Sequence, residues 1–193
     1  MEKMILRKGE KEKVIFDDAG KVQKMILKKG KTERILYPLY YGGHMMRWAK
    51  SCAVKNPKGI VWIAGTEGRD PETDEVVEGM EAQMRMCLQK LKANLEEAGS
   101  GLEYIVHMTW EIMGKEFPDG IEQYPPFQVA EKVFNDFFLE HTGAAPIPVA
   151  ALPEYKTFKA TGQELPLVID LMGVSGLAKK GMVVELGCTA VIP

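Results

Sequence analysis

Residues 60–99 read IVWIAGTEGRDPETDEVVEGMEAQMRMCLQKLKANLEEAG. A short apolar run, Ile60–Gly65, enters a polar turn carrying glycines at Gly65 and Gly68 and an Asp-Pro step at Asp70–Pro71. From Val77 to Ala98 the apolar positions Met80, Met84, Cys87, Leu88, Leu91, Leu95 and Ala98 recur at helical spacing. Gly99 stands where a left-handed C-terminal cap belongs. The block therefore reads strand, turn, helix, with its methionines as core filling.

Outward from this block, Trp48–Val54 reads as a strand, joined to the Ile60 run by the turn 55–59. Glu103–Met113 alternates: Tyr104, Val106, Met108, Trp110 and Ile112 face one way, and Ile105, His107, Thr109 and Glu111 the other. Pro125-Pro126 opens a second helix whose buried stripe is Phe127, Ala130, Val133, Phe134, Phe137 and Phe138. Leu139–Glu164 is rich in Pro and Ala and reads as an inserted functional or interface loop. Leu167–Leu177 and Met182–Ile192 are two further strands. The expected fold is an α/β (α+β) two-layer sandwich, a six-stranded mixed sheet with two helices on one face. Its other face is apolar and has no helix to cover it, so it must meet another subunit.

The first 37 residues form a separate, duplicated unit. KMILRKGEKEKVIF (Lys3–Phe16) recurs as KMILKKGKTERILY (Lys24–Tyr37), each copy reading as a β-hairpin. Two domains are thus expected: a hairpin-like extension at 1–37 and the main domain at 38–193, with its insertion at about 139–164. Residues 1–36 hold eleven Lys/Arg against six Asp/Glu, so a basic arm precedes an acidic body within a net charge of −2. Its lysines are interleaved with Glu10, Glu12 and Glu33, the pattern of a solvated face.

At 193 residues, 46% apolar and 27% charged, the chain has the balance of a soluble globular protein. It carries no apolar run of membrane-spanning length, and its first residues, rich in Lys and Glu, lack the apolar core and small-residue cleavage site of a signal peptide, so none is expected. Cys52, Cys87 and Cys188 are scattered without motif spacing, and a reducing cytoplasm is the default. His44, His107 and His141 lack metal-ligand spacing, and the glycine-rich turn lacks the Lys of a P-loop. No metal, cofactor or membrane partner is expected.

The motifs IAGTEGRDPETDEVVEGMEAQ, LEEAG, GLEYIVHMTWEI, FNDFF and GVSGLAKKGMVVELGCTAVI, within Ala49–Ile192, resemble the RidA/YjgF family of reactive-intermediate deaminases, formerly labelled L-PSP endoribonucleases. The resemblance implies a chorismate-mutase-like fold, a homotrimer with interface pockets, and hydrolysis of enamines or imines to a carbonyl compound and ammonia. It also implies a last-strand Glu that positions water, here Glu185, and an Arg that anchors a substrate carboxylate. The Arg position falls on Ile169, or on Asp170 if the register slips by one. The small hydroxyl position falls at Ala64 with Thr66 two residues on, the second-helix Asn near Glu131, and the pocket Tyr near Lys50 with Trp48 adjacent.

A carboxylate in an otherwise apolar strand, VVELGCTAVI, suits proton transfer near neutral pH when desolvation raises its pKa. An α-imino acid needs its carboxylate held, which Arg does best through its bidentate fork. Arg47, Lys50 or Arg69 are the candidate replacements; Asp170 or Glu131 in the pocket favours a neutral or cationic ligand instead. Two other functions compete: a catalytically silent trimer that binds a metabolite or partner, and RNA binding or cleavage through the basic arm. The RNA reading ranks last, because no aromatic–basic platform is visible.

Overall fold

The computed structural model describes residues 2–7, 10–41, 44–114, 117–143 and 167–193. The N-terminal repeat yields β1 (Glu2–Arg7), β2 (Glu10–Phe16), β3 (Val22–Lys29) and β4 (Thr32–Tyr41), followed by β5 (His44–Lys55). These five strands form an antiparallel meander in chain order. Its turns are built locally. Asp17 Oδ1 accepts the N–H groups of Ala19 and Lys21 at 3.0 and 2.8 Å between β2 and β3. Gly30, at φ 57°, takes the left-handed position between β3 and β4.

A second sheet contains β6 (Gly59–Glu67), β7 (Ile105–Met113), β8 (Val168–Val174) and β9 (Val184–Ile192). Its order is β6-β9-β7-β8, antiparallel except for the parallel β7–β8 pair. The expected single six-stranded sheet is therefore divided among the described residues. β5 is taken up by β4, and Asn56, at a left-handed φ of 54°, turns the chain out of the first sheet into β6. The two sheets touch where the Ala49 N–H donates to Leu167 O at 3.0 Å.

Helices α1 (Met80–Glu97) and α2 (Pro125–Thr142) pack on each other, and α1 lies over β6 and β9. Gly99 takes its left-handed capping φ of 76°. One apolar core runs from Val14 and Met25 of the first sheet through both helices to Leu186 and Ala190. At its centre the Trp110 and Phe134 rings meet edge-on at 4.5 Å.

Two local readings are corrected. The β7 alternation fails at its start, because a register shift between Ile105 and His107 buries Ile105 and leaves Val106 half-buried. Helix α2 runs to Thr142, with Gly143 as its left-handed cap, so residues 139–142 are helical rather than loop. The rest of the expected insertion, 144–166, lies outside the described residues.

Candidate functional site

Alternation along β9 sends Val184, Leu186, Cys188 and Ala190 toward the helices and Glu185 to the opposite, open face. Register then does what alternation alone cannot. Glu67 of β6 lies directly across from Glu185 on one side, and Glu111 of β7 on the other. Directly opposed side chains sit roughly 5 Å apart at Cβ, so three carboxylates form one row across three strands. Burial raises the Glu185 pKa first, and the charges of Glu111 and Glu67 raise it further.

The glycine-rich turn makes this row possible. A register shift between Ile63 and Thr66 marks a bulge in β6, and Gly65 sits in it. A Cβ on Gly65 would lie 1.7 Å from Glu185 Oε1, so the glutamate occupies space that only glycine leaves open. Gly68 does the same for Gln83: a Cβ there would lie 2.4 Å from the Gln83 Cβ. Gln83, 1% exposed, donates to Val77 O at 2.9 Å and Gly181 O at 2.8 Å, and its Oε1 accepts the Val183 N–H at 2.8 Å. One buried amide thus ties α1 to the loops on either side of the site.

An ion-pair chain edges the row. Arg69 pairs with Glu67 at 3.3 Å and with Asp74 at 2.7 Å, and Asp74 pairs with Lys179 at 2.9 Å. Lys179 and Arg69 hold the Asp74 carboxyl below its ordinary value, while backbone N–H groups of Thr73 and Glu72 do the same for Asp70. Arg69 therefore neutralises one end of the row and leaves Glu185 with carboxylates on both sides.

The other singled-out residues are dispersed. Asp170 is on the open face, accepting from His107 Nε2 at 3.0 Å, whereas Ile169 packs against the helix-side core. Thr66 is buried and donates to Leu186 O at 2.9 Å. Glu131, 4% exposed, is inside the helical layer on α2. Lys50 is exposed on β5, in the first sheet, and the Trp48 side chain lies outside the described residues. Burial pushes the Cys87 and Cys188 thiols up to about 12, which removes them as nucleophiles near neutral pH. Among the described residues, no group of His, Cys, Asp and Glu could hold a metal ion. Glu67, Glu111 and Gln83 were not singled out as site residues in the sequence; only the parity of Glu111 within β7 pointed to its face.

Farther along the same face Trp62 (73%) and Ile60 (50%) are exposed opposite Thr189 and Val191, and Met172 (40%) is exposed opposite Glu111. A carboxylate whose proton affinity is raised by burial and by two facing carboxylates can exchange a proton with a bound molecule.

Residues 46–192 match the family model described as Endoribonuclease L-PSP. A RutC family protein from Pyrococcus abyssi (strain GE5 / Orsay) is 31% identical over 97 residues, 49% of this chain and 69% of that protein. Among solved structures, E. coli TdcF with bound serine is 20% identical with a TM-score of 0.49, covering 80% of this chain and 91% of that one. RidA from the Antarctic bacterium Psychrobacter sp. PAMC 21119 is 25% identical with a TM-score of 0.45, covering 80% and 93%.

Proposed function

This chain belongs to the Endoribonuclease L-PSP family, the RidA/YjgF proteins, and on that premise we propose that it hydrolyses a small enamine or imine to a carbonyl compound and ammonia. The observation that carries the reading is Glu185, seated over Gly65 between Glu67 and Glu111 with its pKa raised. Protonated Glu185 delivers its proton to the enamine carbon, and an iminium forms. The resulting carboxylate takes a proton from water as the oxygen attacks the C=N carbon. That proton passes to the nitrogen, ammonia leaves, and the hydroxyl proton returns to Glu185 as the carbonyl forms. The site closes against neighbouring copies in a homotrimer, which covers Trp62, Ile60 and Met172. Asp170 on the open face, in place of the family's anchoring Arg, favours a neutral or cationic substrate over an α-imino acid.

Ammonia release is measured with freshly generated 2-aminoacrylate and with a neutral cyclic imine. Turnover is expected, faster with the neutral imine, and Glu185→Gln lowers it about 10²–10⁴-fold. Turnover untouched by Glu185→Gln sinks the assignment. The second reading, a binding protein without chemistry, draws support from the same Asp170. Saturable binding of either compound with no ammonia released establishes it instead.

A further inference from the structure

We propose that Arg69 is a positioning residue that sets the pH range over which Glu185 gives up its proton, acting through Glu67. The role rests on the reading of Glu185 as a proton carrier and deepens it with what tunes that group. Its origin is the polar turn that follows β6. The Arg69 N–H donates back to Glu67 O at 2.9 Å, and Arg69 bridges Val76 across the turn. The Asp70 N–H donates to Glu75 O at 2.8 Å, while Asp70 Oδ1 accepts the N–H groups of Glu72 and Thr73 at 2.8 and 3.0 Å. Asp74 stands at a left-handed φ of 63°. The turn is thus closed on itself, and it holds the Arg69 guanidinium between two carboxylates.

The guanidinium divides its fork. Nη2 lies 3.3 Å from Glu67 Oε2 and Nη1 lies 2.7 Å from Asp74 Oδ1. Lys179, at 2.9 Å, gives Asp74 a second cation, so Asp74 does not use up the charge of Arg69. Glu67 lies directly across from Glu185, and whatever Arg69 does to the Glu67 carboxylate is felt there. Held in the pair, Glu67 is partly neutralised; released, it would face Glu185 as a bare like charge, and two such carboxylates favour one shared proton. The other groups around Glu185 leave this task to Arg69. Glu111 faces it from β7 with a charge of the same sign. Lys90 of α1 donates to the Glu67 main-chain oxygen at 3.0 Å, and the Cys87 thiol of α1 is buried on the helix side. Asp170 and His107 pair with each other at 3.0 Å farther along the sheet. Among the described residues, Arg69 is the cation ion-paired with the carboxylate row.

The full chain, with isotope-labelled glutamate carboxyl groups, is titrated by NMR, and the Glu185 signal is identified by its loss in Glu185→Gln. Arg69→Gln is expected to raise the Glu185 midpoint by about 0.5 or more, while Arg69→Lys, which keeps the charge, holds it close to the parent. Glu67→Gln lowers the midpoint, and so does the double variant Glu67→Gln/Arg69→Gln, because Arg69 has nothing left to act through. Asp74→Asn also lowers it, since the guanidinium then serves Glu67 alone; a loosened turn would release Arg69 and raise it instead. The limb of kcat/KM for ammonia release that falls with rising pH moves with the midpoint in each variant. An unmoved midpoint in Arg69→Gln overturns the proposal, as does an equal rise in Arg69→Lys. The titration needs no turnover: the stated shifts in a chain that releases no ammonia uphold the role of Arg69 and sink the imine reading.

Discussion

On its helix side the four-stranded sheet presents Trp110, Ile112, Leu186 and Cys188; on its other side the intervening residues are Glu111, Glu185 and Asp170, with Trp62 and Ile60 at the β6 edge. The strands are shared, so backbone hydrogen bonding serves both faces. What differs is the source of stabilisation. The helix side removes large side chains from water, each worth roughly 1.5–3 kcal/mol. The open side places carboxylates directly opposite one another, which opposes folding. A sheet anchored firmly on one side can hold repelling charges on the other, and this is how a chemically useful carboxylate survives in a folded strand.

The comparison breaks most easily at the core. Phe134, fully buried with rings of Trp110 and Phe138 each at 4.5 Å, should cost about 3–5 kcal/mol on truncation to Ala, read from urea denaturation. Trp62→Ala, removing a side chain of similar bulk from the open face, should cost below about 0.5 kcal/mol within the protomer. Its effect should appear in sedimentation as weaker self-association. Equal destabilisation by the two variants would erase the distinction between the faces. Gln83→Ala comes next, at about 2–3 kcal/mol, because it strands the Val183 N–H and the carbonyls of Val77 and Gly181 together. Faster amide exchange at 181–183 is expected with it.

The helix side was legible because its signals are periodic and local. The stripe from Met80 to Leu95 and the phenylalanines of α2 are buried as their spacing requires. Gly65 and Gly68 stood out as a motif, but the partners that need them, Glu185 and Gln83, are identified only by register and by the fold of the turn. Ile169 and Asp170 differ by strand parity: Ile169 packs against the core, while Asp170 is exposed on the other face beside His107. The division into two sheets escaped the sequence for a related reason. Hairpin spacing pairs β3 with β4, yet nothing local says that β4 then claims β5.

The smallest effect tests the sign of the charge on each region. Glu185 has its folded-state pKa raised above the ordinary 4.5, by burial first and then by Glu111 and Glu67. The native chain then binds this proton more tightly than the unfolded chain, so the group lowers stability as pH rises from about 4.5 through its folded value. Glu185→Gln should therefore melt higher than the parent at pH 7.5, by on the order of 1 °C for a half-exposed group, with the gap closing by about pH 4. Asp74 at the rim runs the other way, because Lys179 and Arg69 hold its pKa below 3.8. Its contribution is present above that value and disappears as pH falls through the folded pKa, so Asp74→Asn should melt lower than the parent at neutral pH. Opposite signs in paired melting curves mean that the open face holds its central carboxylate against the fold while the rim pays the fold back. Matching signs mean that the row is an ordinary charged surface, and the case for Glu185 as a proton carrier loses its electrostatic support.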